Sequence, residues 1–208
     1  MIPTETVVLR FGDIRLPRSL AVLPRFEPNG AAAIDEAIGA ARRVVVAGQD
    51  ADLAAVLTRL LRADLLDVEV AHIRGGPGGW LGARRAVSGT ARRVPLIRDD
   101  TGTVLVGAAL WLPPAGADRL RGEAVVDDAV LFDGEVAGVR IEPTTALPGL
   151  RAAVLGSRPR RWVSGRAAQL GTTGARVLRD GVAGPREVKR STFYRHTTGW
   201  LRVGAPPP

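Results

Sequence analysis

The sequence predicts an α/β N-terminal domain built on a parallel, Rossmann-like sheet over residues 1–98, followed by an all-β, sandwich-like C-terminal domain over residues 99–208. Three observations carry this. The run Arg43-Val-Val-Val-Ala-Gly48-Gln49-Asp50-Ala51-Asp52-Leu53 passes from β-branched residues through a glycine into a segment with apolar side chains at Leu53, Val56, Leu57, Leu60 and Leu61. That is strand, tight turn and helix. Between Ala31 and Arg98 the pattern alternates helix and strand three times, as in a parallel sheet covered by helices. From about Asp99 helical periodicity stops, and short apolar runs are cut by turn residues.

In chain order, residues 6–10 and 20–23 read as short strands separated by turn material around Gly12 and Pro17. Asn29 is placed to cap a helix over 31–42, because its side chain can accept from free N–H groups of the first turn. The strand from Arg43 and the helix to Leu61 follow. Residues 67–73 alternate as a strand and end on Arg74-Gly75-Gly76-Pro77-Gly78-Gly79, a second glycine loop; a short helix over 80–87 and a strand over 93–98 complete the domain. In the second half, strands are expected over 103–112, 123–132, 135–141, 150–155, 161–163, 166–170, 175–178, 187–193 and 200–203. Asp133-Gly134, Thr173-Gly174 and Asp180-Gly181 are expected as hairpin turns.

Composition narrows the chemistry. No apolar run approaches the roughly 20 residues that span a bilayer, and the start Met1-Ile-Pro-Thr-Glu-Thr lacks a signal-peptide plan, so a cytoplasmic protein is expected. Zero cysteines exclude disulfides, Cys-based zinc sites and thiol catalysis, and two histidines, His72 and His196, argue against a His-rich metal centre. Residues 1–149 carry 17 basic and 19 acidic side chains, whereas residues 150–208 carry 12 and two, net +10. Only Lys189 among the 29 cations is lysine, and guanidinium suits bidentate pairing with phosphate or carboxylate. The basic C-terminal quarter therefore points to a polyanion, whether an anionic lipid or membrane surface, nucleic acid or a phosphorylated ligand, with a solvated face as the bland reading.

The order Val44-Val-Val-Ala-Gly48-Gln-Asp-Ala-Asp-Leu, then a strand ending on Gly76-Pro-Gly-Gly-Trp-Leu-Gly-Ala-Arg84, then Thr90-Ala-Arg-Arg-Val-Pro-Leu96, resembles the diacylglycerol kinase-like superfamily shared with sphingosine and NAD kinases. The resemblance implies a nucleotide-binding-like first domain, a β-sandwich second domain, ATP and Mg²⁺ as cofactors, and transfer of a phosphoryl group to a lipid hydroxyl. In the family the first loop is Gly-Gly-Asp-Gly-Thr. Here Gly48 matches the first glycine, Gln49 replaces the second, Asp50 matches the aspartate, Ala51 replaces the third glycine and Asp52 the threonine. Gln49, Ala51 and Asp52 do not suit a phosphate cradle: side chains block close backbone approach, and Asp52 adds negative charge where a triphosphate sits.

The second loop, Arg74, Gly75, Gly76, Gly78 and Gly79, stands where the family has Gly-Thr-Gly-Asn, and is either a phosphate-facing nest clamped by Arg74, Arg84 or Arg85, or a plain connection. By the same resemblance Asp50 is the catalytic candidate, as a water-mediated ligand of Mg²⁺; the alternative is a cap on its own helix. The family's late Asp-Gly-Glu is Asp180-Gly181-Val182 here, without the acid. Ser157, Ser164 or Ser191 with His196 lacks triad spacing, His72 reads as a hydrogen-bonded strand residue, and Asp99-Asp100 and Asp127-Asp128 as solvated turns. Lys189-Arg190-Ser-Thr-Phe-Tyr-Arg-His196 interleaves cations and aromatics, as nucleic-acid binders and sandwich edges both do. Three readings stand: an ATP-dependent lipid kinase with full or reduced activity; a non-catalytic pseudokinase that binds a nucleotide, lipid or protein partner; and an arginine-rich nucleic-acid-binding protein.

Overall fold

The structure, a computed structural model, describes residues 4–74, 79–156 and 161–204. The chain begins β1 (Thr4–Arg10), α1 (Arg18–Ala21), β2 (Arg25–Phe26), α2 (Ala31–Ile38), β3 (Ala41–Ala47), α3 (Asp50–Arg62), β4 (Glu69–Ile73), α4 (Gly79–Ser88) and β5 (Ala91–Val94). It continues as strands alone: β6 (Ile97–Asp99), β7 (Val104–Leu105), β8 (Ala109–Leu112), β9 (Leu120–Val126), β10 (Ala129–Val136), β11 (Val139–Pro143), β12 (Leu150–Val154), β13 (Val163–Gly165), β14 (Ala167–Arg179), β15 (Val182–Ala183), β16 (Val188–Arg195) and β17 (Trp200–Val203). An α/β unit and a β-rich unit result, as the patterning predicts. Among the described residues no helix is long and apolar enough to cross a membrane.

The first unit is Met1–Val94 together with Thr198–Pro208, and its sheet runs β2-β1-β3-β4-β17-β5. All neighbours are parallel except β17 and β5. Strand alternation sends Val8, Val45, Ala71, Ile73 and Val203 to one face, where they pack on Leu20 of α1 and Ala83 and Ala86 of α4. Val44, Val46 and Val70, also fully buried, face the other way, the side of α2 and α3. Arg43 ties the first face together: its guanidinium bonds Glu69 (Nε to Oε2, 2.7 Å) and donates to the carbonyls of Ala86, Val87 and Gly89 at the end of α4. Cationic donors there satisfy orphan carbonyls and complement the helix dipole.

The adjacent strands β3 and β4 therefore lead into helices on opposite faces, α3 and α4. A crevice at the carboxyl edge of an α/β sheet arises at such a divergence.

The second unit, Pro95–Thr197, is organised by the 13-residue β14. Its first half, residues 167–171, pairs with β9 and β16; after a register shift between Gly171 and Ala175, residues 176–179 pair with β8. One strand thus feeds both sheet segments, β10-β9-β14-β16-β6-β7 and β13-β12-β11-β8-β14. Their inner residues share one core around Trp111 and Phe193, whose ring centroids are 6.1 Å apart, and Trp111 Nε1 donates to buried Ser191 Oγ at 2.9 Å.

Several local expectations are corrected. Residues 20–23 are not a strand: Pro17 precedes the one-turn helix α1, which buries Leu20 and leaves Val22 exposed. The strand expected over 93–98 breaks at Pro95, which has no N–H for a ladder, and its two halves join different sheets. Asp133-Gly134 lies inside β10, and Thr173-Gly174 inside β14 at its irregularity; neither turns a hairpin. The β9–β10 hairpin turns at Asp127-Asp128, where Asp127 holds φ 50°. Asp180-Gly181 is a turn as expected, with φ 50° and 85°, both left-handed. The two compact units divide at Val94/Pro95, and Trp200–Val203 is not in the β half: it inserts between β4 and β5. Four residues can specify a strand, but not which sheet receives it.

This return redistributes charge. The first unit has 14 basic and 10 acidic residues and the second 15 and 11, so each is net +4 despite the asymmetry along the chain.

Candidate functional site

The site begins where β3 ends. The Gly48 N–H donates to the Ile73 carbonyl at 3.1 Å, which locks the end of β3 to β4. Gln49 is the N-cap of α3, so Asp50, Ala51 and Asp52 are its first three helical residues. The cap is made from the third position: the Gln49 N–H donates to Asp52 Oδ2 at 2.7 Å. Asp52 therefore does the capping, not Asp50, and its carboxylate lies over Gly48.

Asp50 faces β4 instead. Its Oδ1 accepts Arg74 Nε at 2.9 Å and Nη2 at 2.5 Å, and His72 Nδ1 lies 3.9 Å away. His72 Nε2 donates to the Gly48 carbonyl at 3.0 Å, so the imidazole carries its proton on Nε2. Burial lowers the His72 pKa below its ordinary value by more than the Gly48 carbonyl and the Asp50 carboxylate raise it, and Arg74 and Arg202 lower it further. The ring is neutral near pH 7. Arg202, on β17 opposite Val70, completes the group. Burial lowers its pKa, helped by Arg74 and opposed by Asp50.

A cavity of about 330 Å³ opens beside these groups, lined by His72, Arg74 and Arg202, by Gly82 and Arg85 of α4, and by Gly204. Among the described residues Arg85 and Arg202 have neither a hydrogen-bond acceptor nor a salt-bridge partner.

The structure thus brings Gly48, Gln49, Asp50, Ala51 and Asp52 together with Arg74. Gly75, Gly76 and Gly78 lie outside the described residues, and Gly79 opens α4. Both alternative clamps on α4 are exposed; Arg85 lines the cavity and Arg84 does not. Sequence reading missed Arg202, for which no local signal exists, because it reaches the crevice only through the return of β17. It also missed the cavity-lining place of His72.

The remaining candidates are absorbed by structure. Asp180 spends its carboxylate on the N–H groups of Val106, Gly107 and Ala108. Asp99 is not a solvated turn residue: it is wholly buried, pairs with Arg179 Nε at 2.5 Å and accepts from Thr101 and Thr103. Asp127 accepts the Arg166 and Ala167 N–H groups. Ser157 lies outside the described residues, and Ser191 is held by Trp111.

Neither implied cofactor fits the first loop. Its two carboxylates are committed, Asp50 to Arg74 and Asp52 to the Gln49 N–H, and among the described residues no three His, Cys, Asp or Glu side chains are grouped to hold a metal. The helix N-terminus that receives phosphate in such crevices already holds a carboxylate.

No family model matches the chain, and no curated protein is similar to it in sequence. Solved structures share its fold. A diacylglycerol kinase from Bacillus anthracis str. Sterne superposes with TM-score 0.74 at 11% identity, covering 98% of this chain and 97% of that one. An NAD kinase from Archaeoglobus fulgidus in complex with ATP gives TM-score 0.63 at 12% identity, covering 95% and 93%.

Proposed function

We propose that this chain, which has the fold of the diacylglycerol kinase and NAD kinase-like superfamily, is a catalytically silent relative that binds an anionic ligand without transferring phosphate. One observation carries the reading: the Asp52 carboxylate caps α3 from above Gly48, at 2.7 Å from the Gln49 N–H. Phosphoryl transfer depends on fixed donors and cations around the phosphates. A triphosphate entering this loop must displace Asp52, at a cost of about 1 kcal/mol for the lost cap, and then meet the repulsion of two carboxylates. Nothing in the loop offsets this, since Arg74, the cation beside it, is already paired with Asp50.

An anionic membrane surface is the partner class that the net +8 charge favours. With +4 on each unit the attraction is spread over both rather than confined to the C-terminal quarter, and it weakens with salt.

The direct test is incubation of the full chain with Mg·ATP and a panel of acceptors: diacylglycerol, a sphingoid base and NAD. No phosphorylated product and no ADP above the blank is expected. A phosphorylated product that Asp50→Asn abolishes would overturn the reading.

A further inference from the structure

The cavity at the carboxyl edge of the first sheet has an unusual balance of charge. Three arginines, Arg74, Arg85 and Arg202, line it; Asp50, paired to Arg74, is the carboxylate beside them. Neutral His72 adds nothing to the sum. Two positive charges are left over in a space bounded by the small residues Gly82 and Gly204.

Half-buried Arg202 is the telling member. Its guanidinium is brought into the crevice by β17 and finds no hydrogen-bonding or salt-bridging partner there among the described residues. Guanidinium presents five donors in a planar fork that matches phosphate oxygens bidentately. Arg85, in the last turn of α4, lines the same space, so arginines from a strand end, a neighbouring strand and a helix meet around it.

We infer that this cavity is a binding site for a phosphate dianion, free or at the end of a small phosphomonoester, held by Arg85 and Arg202 with Arg74 positioned by Asp50. Two residual charges match the dianion. At about 330 Å³ the cavity lies at the small end of ligand sites, room for phosphate on a short polyol rather than for a nucleoside triphosphate. The site is distinct from the Gly48 loop, which Asp52 closes, and it does not depend on whether the chain turns over ATP.

Calorimetric titration of the full chain with inorganic phosphate and with glycerol 3-phosphate tests the inference, beside flotation with vesicles containing phosphatidic acid or, at matched charge, phosphatidylserine. Arg202→Gln and Arg85→Gln are the informative variants and Arg84→Gln, one residue away on α4 but not lining the cavity, is the control; thermal melts confirm that each folds. Binding weakened about tenfold or more in the first two, and unchanged in the control, is expected. If free phosphomonoesters bind, the source is soluble. If only phosphatidic acid vesicles bind, and Arg202→Gln releases them, the source is a lipid headgroup, which equally supports the site. No binding of any of these phosphates to the wild-type chain, or equal weakening in Arg84→Gln, overturns it. ADP release is read separately, so loss of this inference leaves the catalytic reading standing, and the reverse holds.

Discussion

Asp52 lies so close over Gly48 that a methyl group on residue 48 would stand 2.5 Å from its Oδ2 and 2.8 Å from its Cβ. The glycine is required by its neighbour's side chain, because the carboxylate reaches back across it to the Gln49 N–H. Gly48→Ala is therefore expected to push Asp52 off its donor and cost about 1–2 kcal/mol, and Asp52→Ala about 1 kcal/mol. In the double variant the two losses overlap, since the contact with the carboxylate is gone and only the one with the Cβ of residue 52 remains. Urea denaturation of all three checks this, and strictly additive losses would contradict it.

Arg43 should matter more than its surface-facing neighbours. It serves Glu69 and three carbonyls at the end of α4 from a largely buried position. Arg43→Met leaves those acceptors without a donor and is expected to cost about 2–3 kcal/mol. Arg42→Met, on the exposed side of the same strand, should be near neutral. Equal melting temperatures for the two variants would sink the assignment.

In the second unit, Asp99→Ala strands Arg179 over Phe193 and removes the acceptor for Thr101 and Thr103. Breaking a buried pair from one side costs about 3–5 kcal/mol. A loss under about 1 kcal/mol in chemical denaturation would show that the pair behaves as a surface one.

His72 sets a pH dependence. Its folded pKa lies below its unfolded value of about 6.5, so on acidification the unfolded chain takes up the proton first. Stability is fully present above about pH 6.5 and falls as pH drops from there through the lower folded pKa. Glu142 is partly buried, which opposes ionisation, yet hydrogen bonds from Arg140 and Arg151 hold its carboxyl below the ordinary range; its contribution is lost at more acid pH. Thermal melts from pH 8 to pH 5 should show the first decline, and His72→Gln should flatten it. An unchanged slope in that variant would remove His72 as its source.

The strand–turn–helix of β3, Gly48 and α3 was legible because its signals are local: a β-branched run, one glycine and apolar spacing of a helix. Asp52 is an intruder in a phosphate loop by charge, and its capping role is also written in the sequence, as an acceptor three residues after the N-cap. The place of β17 was not legible. Trp200–Val203 pairs with residues more than 100 positions earlier, and no periodicity within four residues encodes that choice. Arg202 was hidden for the same reason. Asp133-Gly134 misled because those letters favour a turn, whereas cross-strand pairing with Glu123 and Gly122 keeps them inside the ladder and Asp127 takes the left-handed turn position instead.

The central claim is that Asp52 closes the loop to triphosphate. Its most direct test is the affinity of the full chain for Mg·ATP, measured by equilibrium dialysis in the wild type and in Asp52→Thr, with folding of both verified. Wild-type binding too weak to saturate at about 1 mM, and clearly tighter binding in Asp52→Thr, is the predicted result. Tight, Mg²⁺-dependent binding by the wild type that Asp52→Thr leaves unchanged would contradict it.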